Sequence, residues 1–127
     1  MKKLLLTGTA LWCSRDELIR RNRNNDIVFS VTGMMPFHRH RATVMLTDND
    51  IELADNEAYL IPLGIITQLY IGFDEYYTRV LVKNLGLFTQ PLRITTSDET
   101  VWYFFIDCSF WGSCNKIWFE QIKNLIV

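Results

Sequence analysis

Little in this sequence announces chemistry. Its 127 residues include only three cysteines, three prolines and six glycines. Cys13, Cys108 and Cys114 cannot all pair within one chain, which argues against a disulfide scaffold and for a reducing compartment. Cys108 and Cys114 are six apart with no second thiol pair, too irregular for a zinc knuckle. No metal is expected, and the thiols are read as buried and free. No glycine-rich loop is present to cradle a phosphate and no G-x-S-x-G elbow to present a nucleophile, so no cofactor and no catalytic constellation is expected. Apolar runs stay short of the ~18 residues a membrane span needs. With a pI near 6.1 the chain lacks the basic excess of a nucleic-acid-binding domain.

What is present is apolar and aromatic. Hydrophobic residues make up 49% and aromatics 13%, enough for one core in a domain of this length, and the whole of 1–127 is read as one domain. The net charge of −1 hides a polarised distribution. Residues 1–41 carry eight basic and three acidic side chains, whereas 42–127 carry five basic and eleven acidic ones. Internal pairing between the halves and a distinct basic face are the two readings of that asymmetry.

The start, Met1-Lys2-Lys3-Leu4-Leu5-Leu6 with Cys13 downstream, imitates a lipoprotein signal. Trp12 stands where cleavage requires a small residue, and Thr7, Gly8 and Thr9 break the apolar stretch. Lys2 to Trp12 is therefore read as a first strand, and the protein is expected to be soluble and cytoplasmic. Ser14-Arg15-Asp16-Glu17 is a capping box, with Cys13 and Leu18 as the apolar staple, and predicts a helix from Ser14 to about Asn22. Asp16 with Arg20 and Glu17 with Arg21 are favourable helical pairs.

Short β-rich segments follow at turn spacings of about 8 to 12 residues, the rhythm of an antiparallel meander. The expected strands are Ile27 to Val31, Thr43 to Thr47, Ile51 to Ala54, Tyr59 to Ile61, Ile65 to Ile71, Tyr77 to Val82, Pro91 to Thr95 and Val101 to Ile106. The last of these is apolar on both faces, so a helix or a partner subunit must cover the second face. Tyr103 and Phe105 are the candidate partner-interface residues, and self-association into a homo-oligomer would use them. A closing amphipathic helix, Asn115 to Leu125, sets Trp118, Ile122, Leu125 and Ile126 on one stripe, with Trp118 as its anchor. The fold class read from this order is all-β with a C-terminal helix.

Several segments resemble a known family, the bacterial PH-like domains related to pleckstrin-homology and GRAM modules. The resemblance rests on Leu4 to Ala10 as opening strand and on Ala42 to Leu53 as strand, "LT-D" turn and strand. Tyr59-Leu60-Ile61-Pro62-Leu63-Gly64-Ile65-Ile66, Pro91-Leu92-Arg93-Ile94 and the tryptophan-bearing helix Asn115-Lys116-Ile117-Trp118-Phe119 are similar to further family segments. The resemblance implies a seven-stranded antiparallel barrel or sandwich plugged by the final helix, and a non-catalytic module that docks a protein partner or an anionic lipid head group. Residues 14–41 depart from the family as an insertion carrying an extra short helix. The family's phosphoinositide pattern, a lysine on the first strand and basic-x-Arg on the second, maps to Lys3 with Arg39-His40-Arg41. Converging donors of that kind suit a multiply charged phosphate. On a strand His38 and His40 would share a face, which leaves open an alternative: a small enzyme or ligand carrier with both histidines at the mouth of a barrel cavity.

Overall fold

Strand β1 (Leu4–Ser14) is the longest of the described strands and organises the rest. The computed structural model describes residues 2–20, 38–55, 57–82, 89–107 and 112–126. After β1 come α1 (Arg15–Arg20), β2 (His40–Thr47), β3 (Asp50–Ala54), β4 (Ala58–Pro62), β5 (Ile66–Ile71), β6 (Leu92–Thr96), β7 (Val101–Ile106) and α2 (Asn115–Ile126). They form one curled seven-stranded antiparallel sheet in the order β4-β3-β2-β1-β7-β6-β5, with the helix α2 added. The all-β class with a closing helix is thus what the chain adopts. The expected strand over Ile27 to Val31, the helix end at Asn22 and Cys108 lie outside the described residues.

Local chemistry explains the boundaries. The Glu17 amide donates to Ser14 Oγ at 3.3 Å and the Ser14 amide to Glu17 Oε1 at 3.0 Å, the reciprocal pair of a capping box. Between β2 and β3, Thr47 Oγ1 accepts from the amides of Asn49 and Asp50 and donates to Asp50 Oδ1 at 2.7 Å, closing the turn with one hydroxyl. Burial alone would raise the Asp50 carboxyl, but the hydrogen bonds from Lys2 and Thr47 outweigh it and hold the group below its usual range.

β1 is shared. It pairs with β2 from Leu4 to Trp12 and with β7 from Ala10 to Ser14, which bends the sheet around one strand. Alternation then gives β1 and β7 two buried faces. On the concave face Ala10, Trp12, Val44, Leu46, Ile51, Leu53, Phe104 and Ile106 pack with Trp118 and Ile122 of α2. On the convex face Leu11, Cys13, Tyr103 and Phe105 pack with Leu18, Tyr77, Leu81 and Val82. The doubly apolar strand is therefore covered on its second face by α1 and by the segment after β5.

That covering segment corrects one expectation. Tyr77 to Val82 is not a strand; it contains a 3-10 turn at Arg79–Leu81. The physical reason is Asp74, whose Oδ1 accepts from the amides of Tyr76 at 2.9 Å and Tyr77 at 2.7 Å. This local turn takes backbone donors away from any sheet ladder and rolls the chain onto the convex face. At the other end of the molecule α2 closes the concave face with Trp118, 2% exposed. Its first residue, Asn115, ties three pieces together: Oδ1 accepts from the Ile106 amide at 2.8 Å, and Nδ2 donates to the carbonyls of Gln90 at 2.7 Å and Phe104 at 2.9 Å. Leu125 and Ile126, expected on the buried stripe, are each 36% exposed.

An aromatic and acidic mouth as candidate functional site

The concave face has two ends. One lies under α2, where the space beside Trp118 is lined by Val44, Ile51, Phe104 and Ile106 and has no room for a water molecule. The other end is aromatic. Trp12 and His40 face each other across β1 and β2, with ring centroids 4.2 Å apart and planes inclined by 24°. Tyr59 of β4 meets Trp12 edge-on at 5.4 Å, and Trp102 of β7 lies 5.0 Å from Trp12. The inward period of two along each strand brings these four rings, from four strands, to one place.

Carboxylates surround them. Glu17 Oε2 is 2.8 Å from His40 Nε2, while its other oxygen serves the cap of α1. Asp55 and Glu57 come from the β3–β4 turn, and the Tyr59 hydroxyl donates to Glu57 Oε2 at 2.8 Å. This hydrogen bond, some burial, and the charges of Glu57, Glu17 and Asp55 all push the Tyr59 phenol above its usual range. His40, Asp55, Glu57 and Tyr59 line an open cleft of about 310 Å³. The indole N–H groups of Trp12 and Trp102, which do not line the cleft, are buried and, among the described residues, have no acceptor. Such a donor costs about 1–3 kcal/mol when left unmet.

The residues singled out from the sequence do not converge. His40 turns inward to the cleft, whereas exposed Arg41 alternates with it onto the opposite face. Arg39 is exposed just before β2, its amide donating to the Trp12 carbonyl at 3.1 Å, and His38 is half-buried outside the strand. Lys3 is exposed at the far end of β1, its backbone clasped by Asp48. Leu11, the partner of Arg41, is eight positions along β1 from Lys3. At about 3.3 Å per residue that separates Lys3 from Arg41 by roughly 26 Å, too far for one head group. Tyr103 and Phe105 are each 1% exposed beneath the chain's own α1 and 73–82 segment, so as placed they offer no surface to a second copy.

The convex face holds a second polar cluster. Asp74 Oδ2 accepts from Tyr103 Oη at 2.7 Å and Arg93 Nη1 at 2.9 Å, with Arg15 Nη2 at 3.6 Å. Arg15 also lies over the Tyr76 ring, 4.2 Å from its centroid. Burial, with Asp74 next to it, pushes the Tyr103 phenol far up, and Arg15 opposes this. Every partner in the cluster belongs to the chain itself, which makes it a latch for the covering segment.

Glu17, Asp55, Glu57 and Tyr59 were missed as site residues because the sequence explains each one locally, as a cap, a turn or a strand. The usable signal was the inward period that sets His40 beside Trp12. Among the described residues no cluster of histidine, cysteine and acidic side chains could hold a metal ion, and no helix is long and apolar enough to cross a membrane. Comparison with family models and with curated proteins finds no match to this chain.

Proposed function

We propose that this chain is a non-catalytic binding module of the PH-like kind, docking a protein partner at the aromatic and acidic mouth. One observation carries the reading. The concave face is filled by side chains and sealed under α2, while its other end presents an open cleft of about 310 Å³, at the lower limit of ligand sites and of a size for a side chain. The anionic-lipid version is disfavoured by Glu17, Asp55 and Glu57 around the mouth and by the distance of Lys3 from Arg41.

Selecting peptides from a random displayed library, then mapping amide chemical shifts with those recovered, tests the reading. Shifts clustered on His40, Asp55, Glu57 and Tyr59 support it; shifts elsewhere, or no recovered peptide, overturn it. Flotation with phosphatidylserine vesicles tests the lipid version, which requires salt-sensitive binding lost in Arg39→Ala/Arg41→Ala.

A small enzyme or carrier has one point in its favour, the 2.8 Å Glu17–His40 contact, a pair able to move a proton. Against it, the concave face behind the cleft is filled by side chains, and the space beside Trp118 has no room for a water molecule, so the sheet encloses no substrate cavity there.

A further inference from the structure

We infer that the mouth receives a lysyl or arginyl side chain of the partner, carried on an extended segment laid along the edge of β4 that is unpaired among the described residues; this rests on the docking reading above. Two features of the mouth converge on that chemistry.

The first is charge with aromatic faces. Tyr59 and His40 present rings to a cleft whose other lining groups are the Asp55 and Glu57 carboxylates, with Glu17 behind His40. A cation over an aromatic face gains from the ring quadrupole and gains again from carboxylates beside it. The chain uses the same chemistry on its convex side, where Arg93 lies 4.5 Å over Tyr70 and Arg79 lies 5.0 Å over Phe73. At the mouth the rings and the acids are provided and the cleft between them is open. His40 and the acids do not close in as metal ligands do, which favours a larger organic cation.

The second is an edge. β4 stands at the end of the strand order and pairs only with β3, so its outer N–H and C=O groups are unmatched among the described residues. Tyr59 is the second residue of this strand, and the Asp55 to Glu57 turn leads into it. An added strand at such an edge gains main-chain hydrogen bonds and delivers alternate side chains to one pocket. Pro62 ends the edge, limiting the docked segment to a few residues.

The test is a random-sequence peptide selection run in parallel on the wild type and on Asp55→Asn/Glu57→Gln, both positions being exposed so that the fold is kept. Wild-type binders should be enriched in Lys and Arg, and the best of them should weaken about tenfold on the double variant and further at 1 M salt. Glu75→Gln/Glu120→Gln, which removes two charges elsewhere, should leave affinity unchanged. Tyr59→Leu should weaken binding about fivefold while Tyr59→Phe, which keeps the ring, should retain it. Tetramethylammonium chloride should compete better than sodium chloride at equal ionic strength. Binders that map to the mouth without basic enrichment, or that tolerate the double variant, overturn the inference and leave the docking reading standing. Binders that map elsewhere, or none, overturn both.

Discussion

Replacing Asp74 by alanine should release the segment that covers the convex face. The carboxylate accepts hydrogen bonds from Tyr103 Oη, Arg93 Nη1 and the amides of Tyr76 and Tyr77, between 2.7 and 2.9 Å. Hydrogen bonds to a charged group contribute about 1.5–3 kcal/mol each, and a half-buried, partly screened site earns the lower end. Some donors find water or each other once the carboxylate is gone, since Arg15 still reaches Tyr103 Oη at 3.1 Å. We therefore expect a loss of about 3 kcal/mol, a large share of the 5–15 kcal/mol typical of a domain. With a urea m-value of about 1.5 kcal/mol/M, the midpoint should drop by about 2 M. The loss must also depend on pH. Burial alone would raise the Asp74 carboxyl, but hydrogen bonds from the Tyr77 amide, Tyr103, Arg93 and the Tyr76 amide outweigh it and lower the folded value. A lowered folded value stabilises the native state above the unfolded value near 4, and that contribution disappears as pH falls through the folded one. Urea titrations at several pH values between 2 and 7 should show wild type and Asp74→Ala converging in acid. A variant as stable as wild type at pH 7, or a gap that does not narrow in acid, would refute the latch.

Three further expectations concern the packing around that latch and the plug. Tyr103→Phe should cost about 1–2 kcal/mol at pH 7. Because the folded Tyr103 phenol is raised, its contribution holds below the unfolded value near 10 and falls away as pH rises toward the folded one, so chemical denaturation above pH 10 should fall less steeply in the variant. Asn115→Ala orphans the Ile106 amide and the Gln90 and Phe104 carbonyls, and thermal denaturation should report about 3 kcal/mol lost. Trp118→Ala opens the space under α2 and should cost about 3–5 kcal/mol, read by urea denaturation and by loss of amide exchange protection along β7.

Much of the fold was legible because it is written in short-range patterns. Val101 to Ile106 was read with the observed bounds, and the capping box at Ser14 and the helix from Asn115 were correctly placed, since each depends on neighbours within a few positions. The mistaken strand over Tyr77 to Val82 shows the limit of the method. Its β-branched and aromatic content matches a strand, but Asp74 captures the amides of Tyr76 and Tyr77, and a hydrophobic face lay waiting on β7. The candidate site was barely legible. The basic stretch Arg39 to Arg41 drew attention for its composition, although alternation turns only His40 toward the cleft.

Composition and periodicity dictated most of the described strands, the turns between them and the described helices, because these follow from backbone propensities and from which side chains must leave water together. They could not dictate that β1 joins both β2 and β7, that α1 and the segment after β5 roof the convex face, or that Glu17 meets His40 across 23 positions. Such pairings join segments far apart in the chain. They are selected by the curl of the sheet and by the volume its faces must fill, quantities that come into being only when the strands are assembled.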